Sequence, residues 1–126
     1  MEKKIFVTSV NCMDGRIILP LNNFMREKYG ADYVDTITAG GPIRFLAGDD
    51  SNCIKHHIMS RINISVNLHG SNVVAISGHH DCAGNPISKE RQIEQINESI
   101  IHVRKSYPNV EIIALWVNEN WEVEEL

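Results

Sequence analysis

The stretch Val73-Val74-Ala75-Ile76-Ser77-Gly78-His79-His80-Asp81-Cys82 decides how this chain is read. Its first four residues are apolar at every position, the pattern of a strand covered by helices on both faces. Its second half ends that strand on His79 and Cys82, spaced so that an imidazole and a thiolate can turn toward one metal ion. A buried strand that delivers such residues at its carboxyl end points to a parallel α/β sheet with its site at the strand ends.

The flanking chain supports this. Lys4 to Val10 reads as a first strand delivering Asn11 and Cys12. Pro20 is acceptable in the first turn of a helix, and Leu21, Phe24, Met25 and Lys28 keep helical spacing until Gly30 stops it. Tyr33 to Thr38 is rich in β-branched and aromatic residues, and this second strand ends in the loop Ala39-Gly40-Gly41-Pro42. Asp49, Asp50 and Ser51 are candidate caps for a second helix running to about His69. Ile54, His57, Ile58, Arg61, Ile62, Ser65, Val66 and Leu68 recur on roughly one of its faces, and Gly70 closes it.

After the third strand, Asn72 to Ser77, Ser88 can cap a helix in which Ile93, Ile96, Ile100, Val103 and Tyr107 form an apolar stripe. Pro108-Asn109 breaks that helix, Val110 to Val117 is a fourth strand, and Trp121 to Glu124 reads as a short antiparallel edge strand. The alternation predicts one α/β domain over residues 1–126, a parallel sheet of about four strands in the order 2-1-3-4 with helices on both faces. In that order the winding reverses between strands one and three, where ligands collect.

Bulk properties set the bounds. The chain has 126 residues, 43% hydrophobic and 22% charged, enough for a real core without staples. A net charge of -4 with no basic stripe argues against a nucleic-acid binder. No apolar run approaches membrane-spanning length, and the N-terminal apolar run is of strand rather than signal-peptide length. Three scattered cysteines, Cys12, Cys53 and Cys82, do not make a secreted disulfide framework, so the expected setting is a reducing cytoplasm.

The chemistry lies in two fragments, His79-His80-Asp81-Cys82 and Cys12-Met13-Asp14-Gly15-Arg16. Two thiolates and one imidazole suit Zn2+ and leave a fourth tetrahedral position for water or a carboxylate. Zinc can lower the pKa of a bound water to about 7. If Cys12, Asp14 and Arg16 lie in one extended segment, all three side chains project to the same side. Asp14 then either reaches the fourth position or, held ionised by Arg16, accepts a proton from the bound water.

The pattern Cys12-x-Asp14-x-Arg16 followed by His79-x-x-Cys82, with Thr38-Ala39-Gly40-Gly41 between, resembles that of the β-class carbonic anhydrases. The resemblance spans roughly residues 5 to 85 at motif level. It implies that Cys12, His79 and Cys82 bind zinc and that Asp14 and Arg16 form a catalytic dyad. It also implies that Gly40 and Gly41 shape the substrate pocket, that carbon dioxide is hydrated reversibly to bicarbonate, and that the protein is a homodimer or higher homo-oligomer. His80 stands where the family usually has serine, and Ala83 where it usually has glycine, as in a compact, divergent branch.

Two alternatives share the ligand pattern: a zinc-binding protein that has lost hydration, and a zinc hydrolase acting on another linear electrophile such as carbon disulfide or carbonyl sulfide. A nucleophilic Cys12 with Arg16 holding an anion leaves His79 and Cys82 unexplained. The remaining candidates have plainer readings. Cys53, His56, His57, His69 and His102 are structural or solvated, and His80 is an exposed bystander rather than a proton shuttle. Asp81 stabilises its loop, Arg44 lies at the surface or contacts an anion, and Trp116 and Trp121 belong to a core or interface.

Overall fold

The computed structural model describes residues 3–126, so the first two residues of the predicted domain lie outside the described part. Strands β1 (Phe6–Cys12), β2 (Tyr33–Ala39), β3 (Val73–His79), β4 (Glu111–Val117) and β5 (Val123–Glu125) form one sheet in the order β2-β1-β3-β4-β5. The first four are parallel and β5 runs antiparallel to β4, matching the predicted order and edge strand.

Helix α1 (Gly15–Tyr29) covers one face, packing Ile17, Leu21 and Met25 against Val7, Ala75 and Leu115. Helices α2 (Pro42–Leu46), α3 (Cys53–Asn63) and α4 (Lys89–Ser106) cover the other, where Ile43, Ile58, Ile62, Ile96 and Val103 meet Val10, Val74 and Ile76. Successive residues of β3 therefore enter opposite cores, and every residue from Val73 to His79 is buried. Each fully buried Ile or Leu contributes roughly 1.5–3 kcal/mol.

Several boundaries differ from expectation. Helix α1 begins at Gly15, upstream of Pro20, because Asp14 caps it by accepting the Arg16 N–H; Pro20 lies inside the helix. Pro42–Leu46, unmarked in the sequence reading, is a short helix started by left-handed Gly41 and by Pro42 in its first turn. Asn52, rather than Asp49, Asp50 or Ser51, caps α3, since the Asp49 carboxylate is used on the Ser51 N–H.

On α3 the buried positions are Lys55, Ile58 and Ile62, while Ile54 and Leu68 are exposed. The helix continues as a π-helical turn over Ile64–Leu68, which rotates its last residues off the predicted stripe. Trp121 lies in the turn before β5 with φ 58°, outside the strand. Among the described residues no helix is long and apolar enough to cross a membrane.

Candidate metal centre

β1 and β3 pair only over Thr8–Val10 and Val74–Ile76. Beyond that, β1 stays with β2 as far as Cys12 opposite Ala39, and β3 stays with β4 as far as His79 opposite Val117. The two strands part, and Cys12 and His79 sit on the two lips of the resulting crevice. A turn containing Asp81 at φ 57° brings Cys82 back to them. One ligand atom each from Cys12, His79 and Cys82 lies within 4.8 Å of the others, the two sulfurs 3.8 Å apart, and all three residues are buried.

His79 decides what this cluster is for. Its Nδ1 lies 2.7 Å from the His80 carbonyl oxygen and so carries the proton that it donates there. Nε2 is left with its lone pair, and it is the single buried side-chain nitrogen or oxygen without a hydrogen-bond partner among the described residues. Leaving such an atom unsatisfied costs about 1–3 kcal/mol. A cation between the nitrogen and the two sulfurs removes that cost, and the N/S donor set suits zinc.

The thiols point the same way. Cys12 is drawn well below its usual range, chiefly by the neighbouring Cys82 S–H; burial opposes this, while the backbone N–H groups of Gly41 and Asp14 reinforce it. Cys82 is pushed up by Cys12 and then by its own burial. Two adjacent buried thiolates need a cation to ionise together, which is what a metal provides.

Asp14 and Arg16 meet beside this cluster, but not in the predicted extended segment. Asp14 is the N-cap of α1 and Arg16 lies in its first turn, so the pair is built by the helix start. Arg16 donates from Nε to Asp14 Oδ1 at 3.0 Å and from Nη2 to Oδ2 at 2.7 Å. These bonds are the chief reason the Asp14 carboxyl is held down to about 2, with burial partly opposing them. Arg16 also reaches across to the other lip, from Nη1 to Asp81 Oδ2 at 3.2 Å and from Nη2 to the Asp81 carbonyl at 3.1 Å. Its guanidinium carbon lies 4.4 Å from the centroid of the Trp121 ring.

A cleft of about 280 Å³ opens here, lined by Cys12, Met13, Asp14, Gly40, Ala83 and Gly84. Gly40 lies against Gly84 in its wall, and a Cβ on Gly84 would lie 2.7 Å from the Gly40 carbonyl carbon. Gly41, at φ +63°, abuts Asn85, whose Cβ would be 2.5 Å from any Cβ placed there. These glycines let the β2–α2 loop and the Cys82 loop touch backbone to backbone. A larger groove, about 480 Å³, runs along the open edge of β2 against α3, away from this chemistry.

The other sequence candidates fall elsewhere. Cys53, His56, His57 and His80 are exposed, His69 pairs with Asp35, His102 is half-buried, and Arg44 lies over the Phe45 ring. Trp116 is buried in the core. The sequence reading missed Trp121 at the site, and it missed Gln92, whose carboxamide bonds the His79 backbone. Gln92 had a signal: it lies four residues before Ile96, on the buried stripe of α4, where a polar residue needs a partner.

The family model described as "Putative carbonic anhydrase" matches residues 2–126. The chain belongs to that carbonic anhydrase family. Solved structures show the same fold. β-Carbonic anhydrase isoform I from the protozoan Trichomonas vaginalis superposes with a TM-score of 0.66 at 18% identity, covering 94% of this chain and 80% of that one. One of two tetrameric β-carbonic anhydrases from the filamentous ascomycete Sordaria macrospora gives 0.61 at 11% identity, covering 99% and 82%. No curated protein sequence matches the chain. Within this carbonic anhydrase fold, the Cys12, His79 and Cys82 side chains form a group able to hold a metal ion.

Proposed function

We propose that this chain is a zinc-dependent carbonic anhydrase that hydrates carbon dioxide reversibly to bicarbonate. One observation carries the reading: the unpartnered, buried Nε2 of His79 faces two thiols, with an Asp-Arg pair at the rim of the same cleft. Cys12, His79 and Cys82 would hold the ion. Bound there, zinc supplies a Lewis acid that makes water nucleophilic near neutral pH.

The chain's own groups do the rest. Arg16 holds the carboxylate ionised, its backbone N–H and Nε on Oδ1 and its Nη2 on Oδ2, so Asp14 is an acceptor for the O–H of an attacking water. This use of Asp14 favours an open site over one closed by the carboxylate. Gly40 and Gly84 leave that wall of the cleft without side chains, room that suits a small linear substrate. One domain over residues 1–126 carries all of these groups. Free thiols suit a reducing compartment such as the cytoplasm. The tetrameric fungal relatives support homo-oligomerisation.

The test is stopped-flow carbon dioxide hydration at known zinc content, between about pH 6.5 and 9 to bracket a zinc-water titration near 7. Zinc-dependent turnover rising with pH is expected. No turnover at full zinc loading would refute hydration, and carbonyl sulfide and carbon disulfide assayed alongside would show whether another linear electrophile is the substrate.

A further inference from the structure

At its last residue β3 has a strand on one side only. Continuing the register of β1 with β3 would set Met13 opposite His79, but the Met13 N–H is given to the Ala39 carbonyl instead. On the other side His80 donates its N–H to Val117 of β4. The His79 backbone N–H and C=O therefore face the gap where β1 has turned away, inside a residue only 1% exposed. A buried backbone pair without partners is strongly disfavoured, and a floppy one would leave the imidazole poorly aimed.

Gln92 fills this gap. Its Oε1 accepts the His79 N–H at 3.2 Å and its Nε2 donates to the His79 carbonyl at 3.0 Å, the two bonds a neighbouring strand would have made. Gln92 is 3% exposed and lies just inside the start of α4, fixed there by its own N–H to the Ser88 carbonyl. The approach requires Gly78, since a Cβ there would lie 2.6 Å from Gln92 Oε1. On the same helical face, Gln95 accepts at 2.8 Å from Asn85 Nδ2. Asn85 is 4% exposed and ends the loop that holds Cys82, and its N–H points to the Cys82 carbonyl.

We propose that Gln92 and Gln95 form a clamp on α4 that positions the His79–Cys82 loop for metal binding. Gln92 grips the loop where it leaves the sheet, and Gln95 grips it where it rejoins the core. Neither hydrogen-bonds a ligand atom of the metal cluster; both act as positioning residues through the ligand loop. The inference rests on the metal-centre reading and adds two residues to it.

The experiment compares wild type, Gln92→Met, Gln95→Leu and Val103→Ala, a buried residue near the far end of the same helix. Each protein is stripped of metal, checked for folding by circular dichroism, titrated with Zn2+ against a chromophoric chelator, and loaded with Co2+ for its visible spectrum. The clamp predicts that Q92M binds Zn2+ about 10- to 100-fold more weakly, as loss of a supporting partner does at other metal sites, with altered Co2+ bands. Q95L, at a half-buried position, should fold even in the event that Q92M fails to, and should show a smaller loss in the same direction. V103A should lose stability without losing affinity.

If every glutamine variant that folds behaves like V103A, with unchanged zinc affinity and cobalt spectrum, the clamp is overturned. Wild-type protein that binds neither ion would bring down the metal-centre reading, and this inference with it. Tight wild-type binding beside unchanged variants would remove the clamp alone.

Discussion

The guanidinium of Arg16 is paired along its edge with Asp14 and lies over Trp121: Nη2 is 2.7 Å from the Asp14 carboxylate, and its carbon is 4.4 Å from the tryptophan ring centroid. A residue at the start of α1 is thus held by the turn that leads into the last strand. The half-buried indole also packs against the core around Leu21 and Val117, so it joins the rim of the cleft to the fold.

Trp121→Ala should cost about 1–3 kcal/mol, part lost packing and part lost cation–π contact. Trp121→Phe should recover most of it. Urea midpoints measure both, and equal midpoints for wild type and W121A would show that the ring contributes nothing. Zinc content should stay unchanged, because Trp121 offers no ligand atom to the cluster of Cys12, His79 and Cys82.

Arg16→Ala should keep zinc but lower hydration. Its direct signature is Asp14, whose carboxyl titrates at about 2 beside the guanidinium and should return toward the ordinary carboxylate range without it. The sign follows from a depressed folded-state pKa: stability from the pair is present above the unfolded value of about 4 and is lost as pH falls toward 2. Carboxyl-carbon NMR of Asp14 in both proteins checks the shift. An Asp14 midpoint that does not move in R16A would contradict the pairing.

Cys82→Ser should bind little zinc and lose the metal's contribution to stability, because ligand binding and folding are coupled in such sites. A chelator should lower the melting temperature of zinc-loaded wild type and leave C82S nearly unchanged. Undiminished zinc content in C82S would remove Cys82 from the ligand set.

Gly41→Ala should destabilise by more than about 1–2 kcal/mol, the usual cost of a left-handed conformation for a residue with a Cβ. The excess comes from the 2.5 Å approach to the Asn85 side chain. Gly70→Ala is the control, with a similar φ of +74° but open space around its Cβ position. Equal losses at both sites would mean that backbone strain alone matters at Gly41.

The sequence by itself determined the order of elements, the parallel sheet and the strand ends that carry Cys12 and His79. Periodicity and apolar runs report which side of its own element each residue faces, and those signals were strong in β3 and α4. Asp14 and Arg16 were legible as a pair, yet their geometry was not, because capping depended on where α1 started relative to Pro20. Tertiary structure alone decided that Trp121 covers Arg16, that Gln92 replaces β1 beside His79, and that Gly41 meets Asn85. Each of these joins residues far apart in the chain, and a residue's own neighbours fix its exposure but not its partner. That partner is chosen when the sheet twists, β1 and β3 part, and the helices settle over the gap.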